Sequence, residues 1–319
     1  MKATVSQDFK TIYQISRKVY QEQPLLKRYA LRQLKIDVIS LLCLLVALAG
    51  AGIVATFVQS DLARNITFGV AGVAFFYVLT LVSRLNYSRM LLTADAALRG
   101  EQLTHGEVEQ LLTKRRSLVA QWVAIDLAVF AAISTVQNYV DEKIPFLGTI
   151  FAIIGSATWQ TVSFFSHPII VLHGEAPLSS VKQSASAVKE TWKSGKLRYG
   201  TGGLLQAALG YLALSIIFVV GLSIVVGGVV FAVSSFSDML VLSDTVKRLL
   251  LIGGAILAVP LIAYLSYIGN VIQAHYAVWH TALYRFAVHK DYVGIFPQEL
   301  LEKGVVHVEK RGLFRRKTA

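Results

Sequence analysis

The side chains best suited to chemistry lie inside or at the ends of long apolar stretches. Asp126 stands in Trp122-Val-Ala-Ile-Asp126-Leu-Ala-Val, well inside the apolar run 118–136. A carboxylate at that depth must be protonated, paired or facing water. The roles open to it are proton relay, cation or substrate contact, and a structural hydrogen bond to a neighbouring span. His167-Pro168 falls late in another apolar run. Proline cannot donate to the carbonyl four residues earlier, so a kink at Pro168 is expected, with the Phe164 carbonyl left to find another donor. His167, Gln160, Ser163 and Ser166 are near enough along the chain to repair it, although a broken helix is also where transporters place binding sites. A third group closes the last apolar run, where Asn270, Gln273, His275, Tyr276, Trp279, His280 and Tyr284 follow Tyr264 and Tyr267. Gln273, Tyr276, His280 and Tyr284 share one helical face, which reads as an aromatic belt at head-group depth or as a ligand-lining surface. The ligand or ion candidates are therefore Asp126, His167, Asn270, Gln273 and His280. Asp37, beside Lys35 at the edge of the first run, reads as an interfacial carboxylate paired with a base.

These residues do not add up to a catalytic centre. The 7 histidines are scattered, and His275 and His280 are spaced too unevenly to share a helical face. The single cysteine, Cys43, excludes disulfides and a multi-thiolate zinc site. No metalloprotease, nucleophile-elbow, phosphate-loop or dinucleotide motif occurs in a plausible context. No metal, no cofactor and no enzymatic activity are expected. The glycine pairs Gly202-Gly203 and Gly227-Gly228, and small residues such as Ala47/Ala51/Ala55 and Gly254/Ala258, suit close helix packing.

The elements that carry these residues follow from composition. Hydrophobic residues make up 55%, charged residues 16%, and mean hydropathy is +0.57. Soluble domains are less apolar and carry about 25% charged residues. Six stretches reach the roughly 20 residues that a span requires: 36–58, 66–83, 118–136, 145–172, 203–236 and 249–276. The fold class is all-α, a polytopic membrane helix bundle. Of the 31 Lys and Arg residues, 27 lie in alternate loops, at 1–35, 84–116, 182–198 and 285–317; the other set holds Arg64, Lys143, Lys247 and Arg248. Cytoplasmic loops retain Lys and Arg, so both termini are expected in the cytoplasm, with the protein in the inner or plasma membrane. The net charge of +12 is then a cytoplasmic skirt facing anionic lipid head groups. Nucleic-acid binding is not expected, because no aromatic-basic stacking platform appears.

Between the spans, the inner side is rich in amphipathic pattern. Residues 1–35 form an amphipathic segment in which Phe9, Ile12, Tyr13, Ile15, Val19 and Tyr20 alternate with Lys10, Arg17 and Lys18, as in a helix lying on a membrane. Thr104-His-Gly-Glu107 reads as a capping box opening a short helix, which ends in Lys114, Arg115 and Arg116. After Pro177, the residues Leu178, Val181, Ala185, Val188 and Trp192 fall on one helical face, with Lys182, Ser184, Lys189 and Glu190 elsewhere. Lys114, Arg115, Arg116, Lys182 and Lys189 are the lipid-phosphate candidates. Domain organisation is a segment 1–35, a six-helix domain 36–290 and a basic tail 291–319. The expected function is that of a non-enzymatic membrane or scaffold protein engaging inner-leaflet lipids, a protein partner or a second copy of itself. The alternative is a transporter or channel using Asp126 and the kinked fourth span.

Three regions resemble a prokaryotic six-span membrane family, domain of unknown function 6159. One is the second span running into Met90–Gly100. The most specific is Thr158-Trp-Gln-Thr-Val-Ser-Phe-Phe-Ser-His-Pro168-Ile-Ile-Val, continued by Glu175-Ala-Pro-Leu, Lys182-Gln-Ser184 and Lys189-Glu-Thr-Trp192. The third is Ala282-Leu-Tyr284-Arg-Phe-Ala287 with Gly294-Ile-Phe296. The polar His167 and Lys193-Ser194-Gly195 depart from the pattern. The resemblance implies a six-helix polytopic protein and transfers no catalytic residue.

Overall fold

A computed structural model describes residues 2–57, 61–193, 244–289, 291, 294–298 and 301. Among the described residues the chain is all-helical, with no strand. The helices are α1 (Lys2–Glu22), α2 (Pro24–Phe57), α3 (Asp61–Leu98), α4 (His105–Lys143), α5 (Leu147–Val162), α6 (Ser166–His173), α7 (Pro177–Lys193) and α8 (Asp244–Tyr284), the last followed by a π-helical turn, Arg285–His289. The fifth span expected over 203–236 and the tail from 302 lie outside the described residues. The chain forms two units, Met1–Arg198 with Asn270–Ala319, and Tyr199–Gly269. The second is described from Asp244, where it is helical.

Among the described residues three helical segments, Gly69–Leu98, His105–Lys143 and Leu147–His173, are long and apolar enough to cross a membrane. Within the first unit their burial changes abruptly along their length. On α3, Val70, Val73, Phe76, Val78 and Val82 are exposed, whereas every residue from Leu85 to Leu98 is buried. On α4 the order reverses: Val108, Leu112, Val119, Trp122 and Val123 are buried, and Val136 and Tyr139 are exposed. On α2, Leu26, Tyr29 and Ala30 are buried, and Ile39, Leu42 and Val46 are exposed. On α5, Ile150, Phe151, Ile153 and Ile154 are exposed, whereas α6 is buried from Ser166 to Val171. The unit thus has a packed half and a half whose apolar side chains face outward.

Several expectations need correction in detail. The capping box forms, with Glu107 N donating to Thr104 Oγ1 and Thr104 N donating to Glu107 Oε2 at 2.7 Å. It opens not a short helix but the whole of α4, so Lys114, Arg115 and Arg116 lie mid-helix. The fourth apolar run breaks at Ser163–Phe165, before Pro168, which occupies the first turn of α6. That is the place where a helix tolerates proline, because the first N–H groups have no intrahelical acceptor. On α1, Ile12, Ser16 and Val19 are buried within the protein core rather than turned outward to lipid. On α7 the buried line is Ser180, Ser184, Ala187 and Val188, while Leu178 is 67% exposed.

The α4–α5 hairpin is closed by Asp141, whose Oδ1 accepts from Gly148 N at 2.8 Å. A Cβ on Gly148 would overlap the Gln137 carbonyl oxygen and stand 2.7 Å from Asp141 Cγ. Gly148→Ala is therefore expected to destabilise the protein by about 1–3 kcal/mol, the usual cost of overpacking. A lowered thermal midpoint of the detergent-solubilised chain, with unchanged helix content by circular dichroism, checks it.

Candidate functional site

The polar side chains singled out above gather where the two halves of the first unit meet. Asp126 is not a lone carboxylate. Its Oδ2 accepts from Arg84 on α3 at 3.3 Å, and its Oδ1 accepts from the Trp159 indole on α5 at 2.8 Å. Trp159 in turn stacks on Trp122, with centroids 5.9 Å apart and planes 23° apart. One turn of α4 thus joins α3 and α5 through an ion pair, an indole bond and a ring stack.

A second set joins α2, α3 and α8. Gln33 Nε2 donates to Asp37 Oδ1 at 2.9 Å and to Ser83 Oγ at 3.1 Å. Asn86 Nδ2 donates to the Gln33 side-chain oxygen and to the Tyr29 carbonyl, both at 3.0 Å. Asn270 donates to Asp37 Oδ2 at 2.8 Å. Asn270 is thus a link between helices, and Gln273, half-buried on the same helix, takes no part in these bonds.

The third set surrounds the break between α5 and α6. His280 Nε2 lies 3.0 Å from the Phe164 carbonyl, and its Nδ1 lies 3.0 Å from the Tyr87 hydroxyl. A carbonyl only accepts, so Nε2 carries the proton and Nδ1 accepts from Tyr87. The carbonyl that Pro168 cannot serve is therefore served by His280 on α8, not by a neighbour in sequence. Ser184 of α7 accepts the Phe165 N–H at 2.9 Å, which holds the other side of the break. His167 Nε2 meets Ser88 Oγ at 3.0 Å, while the Ser88 hydroxyl donates its one proton to the Arg84 carbonyl at 2.8 Å. Ser88 is then the acceptor, and His167 keeps a bare Nδ1 that is buried without a partner. Tyr87, Tyr276 and Phe164 pack around the His280 ring.

Deeper in the packed half the groups are ionic. Arg89 binds Glu109 through Nε at 2.6 Å and Nη2 at 3.0 Å, and Arg32 approaches the same carboxylate at 3.4 Å. The Arg89 bonds hold the Glu109 carboxyl below its ordinary range. Burial pushes the Tyr29 phenol, hydrogen-bonded to His105 Nδ1 at 2.9 Å, up to about 12. Arg285 binds Asp95 at 2.7 Å and also reaches Asp291. Of the lipid-phosphate candidates, Arg115 is held by the Val171 carbonyl at the C-terminal end of α6, whereas Lys114, Arg116, Lys182 and Lys189 are exposed. Among the described residues no three His, Cys, Asp or Glu side chains form a group able to hold a metal.

Sequence reasoning counted Arg84 as a loop cation and passed over Tyr87, Ser88 and Trp159. The signal was present: Arg84, Tyr87 and Ser88 stand at i, i+3 and i+4, which puts them on one face of a helix. No family model matches the chain, and no curated protein or solved structure matches it.

His280 satisfies two buried groups at once, so His280→Leu strands the Tyr87 hydroxyl and the Phe164 carbonyl, each costing about 1–3 kcal/mol. Tyr87→Phe in that background removes one stranded group. The double variant is expected to melt higher than His280→Leu alone, and thermal midpoints across the four-member cycle check the coupling.

Proposed function

We propose that this chain is a six-span, non-enzymatic membrane protein that anchors a packed, basic helical body to the inner leaflet. The observation that carries it is that the side chains best suited to gripping a ligand already bind other helices. Asp126 is neutralised by Arg84, Asn270 holds Asp37, and His280 mends the helix break. Transport would require Asp126 to exchange partners, yet both its oxygens are engaged by separate helices.

The division of exposure supports the same reading and moves the spans. Gln33, Asp37, Ser83, Arg84, Asp126, Trp159 and Asn270 are linked at the level where exposed apolar side chains give way to buried ones. With this level taken as the inner head-group plane, residues 66–83 extend beyond it by about 27 Å and 127–143 by about 26 Å, at 1.5 Å per residue. Both match a hydrocarbon core roughly 30 Å thick. Asp126 then sits at the membrane's inner edge, not at mid-depth, and both termini stay on the cytoplasmic side. The six-span likeness noted in the Thr158–Pro168 motif agrees with this placement. Lys114, Arg116, Lys182 and Lys189 are then exposed on the cytoplasmic side of that plane, where the attraction of anionic head groups acts on them and falls off within about a Debye length.

Reconstitution into nanodiscs tests it. Phosphatidylglycerol is expected to raise the thermal midpoint relative to phosphatidylcholine. K114A/R116A/K182A/K189A should lose most of that increment, as should wild type in high salt. A solute flux in proteoliposomes that Asp126→Asn abolishes, or no dependence on anionic lipid, would sink the proposal.

A further inference from the structure

Arginine has five N–H donors in a rigid fork, and two arginines of this protein each bind carboxylate through two of their nitrogens. Arg89 grips Glu109 through two nitrogens with its side chain 11% exposed, and Arg285 lies between Asp95 and Asp291 at 17%. Arg84 differs. It makes one hydrogen bond, to Asp126 at 3.3 Å, and 40% of its side chain is exposed. Nε and Nη1 remain available, from a cation held in place by a carboxylate that the Trp159 indole fixes from the other side.

Its position limits what can use those donors. On α3 it directly follows the exposed run Val70, Val73, Phe76, Val78 and Val82, and directly precedes the wholly buried Leu85–Leu98. The stacked Trp122–Trp159 pair lies against the same carboxylate, and α5 carries the exposed Ile150, Ile153 and Ile154 toward Trp159. Guanidinium forks suit phosphate oxygens, tryptophan favours head-group depth, and the apolar faces suit acyl chains. Asp126 limits the charge the site accepts. A phosphodiester brings one negative charge, whereas a phosphate monoester brings about −1.5 to −2 near neutral pH.

From this we infer that Arg84, positioned by Asp126 and Trp159, binds the phosphodiester of one bilayer phospholipid whose chains lie along the exposed faces of α3 and α5. The inference rests on the bilayer reading above, but not on the surface lysines. It describes a single stoichiometric lipid, distinct from a diffuse anionic layer.

Native mass spectrometry of the full-length chain in mild detergent, titrated with phosphatidylglycerol or phosphatidylethanolamine, tests it. Wild type is expected to retain one phospholipid through a high-salt wash. In R84Q/D126N, which removes both charges and so avoids an orphaned buried ion, retention should weaken about tenfold or more, the effect of losing a charged hydrogen bond. R84K, which keeps the charge and the Asp126 partner but not the fork, should fall between the two. Circular dichroism and the melting curve show that each variant is folded. Equal retention by R84Q/D126N and wild type overturns the proposal. So does equal competition by diacylglycerol, which lacks the phosphate, or displacement of the lipid by inorganic phosphate alone. The earlier reading fails separately, when K114A/R116A/K182A/K189A keeps the salt-sensitive preference for phosphatidylglycerol.

Discussion

The rest of the first unit is arranged around one constraint: α3 is buried on every side from Leu85 to Leu98 while carrying Asn86, Tyr87, Ser88, Arg89, Thr93 and Asp95. A polar group enclosed without a partner costs about 1–3 kcal/mol. Most of these groups are met, by partners from different parts of the chain, although the Asn86 side-chain oxygen has no hydrogen-bond partner. Asn86 requires α2, through Gln33 and the Tyr29 carbonyl; Ser88 requires α6, through His167; Tyr87 requires α8, through His280; Arg89 requires α4, through Glu109; Asp95 requires Arg285 beyond α8. Thr93 donates within its own helix, to the Arg89 carbonyl, and the Ser88 hydroxyl likewise donates to the Arg84 carbonyl while meeting His167. Apolar contact alone would let these helices slide or rotate against one another. Directional bonds to separate neighbours allow one register.

The break between α5 and α6 shows the same logic applied to backbone. Pro168 removes a donor, which frees the Phe164 carbonyl, and the turn leaves the Phe165 N–H without a helical acceptor. One is met by His280, 116 residues away, and the other by Ser184 on α7, 19 residues away. A local defect thus becomes a long-range connection. This is why His167, His280 and Asp126, residue types that suggest ligand binding when found in apolar runs, act here as locks between helices.

Much of the fold is legible along the chain. The helical class, the Thr104–Glu107 cap and the outward apolar faces follow from composition and short spacing. What hydropathy cannot distinguish is an apolar helix buried in protein from one facing lipid. Leu85–Leu98 and one face of α4, at Val108, Leu112, Val119, Trp122 and Val123, are buried by other helices, so apolarity alone puts Arg84 in a loop where the structure has it within α3. The partners of Phe164 and Asp126 are separated from them by 116 and 42 residues, beyond the reach of any periodicity. The direction of α1 was hidden for the same reason: an amphipathic helix reads alike whether its apolar face meets lipid or protein.

That distinction also changes what the basic residues mean. Arg84, Arg89 and Arg285 count among the 27 basic residues of the alternate loops, yet each is bound to a carboxylate: Asp126, Glu109 or Asp95. Each of these pairs is close to neutral from a distance, so it adds little to the attraction of anionic lipid. The exposed Lys114, Arg116, Lys182 and Lys189 keep their full charge, and screening by salt acts mainly on them. Arginine suits the first task because its planar fork fixes a partner's orientation, and lysine suits the second because its compact, mobile ammonium keeps its water. The charge that holds the helices together and the charge left exposed are therefore carried largely by different residues, so either can be altered with the other left in place.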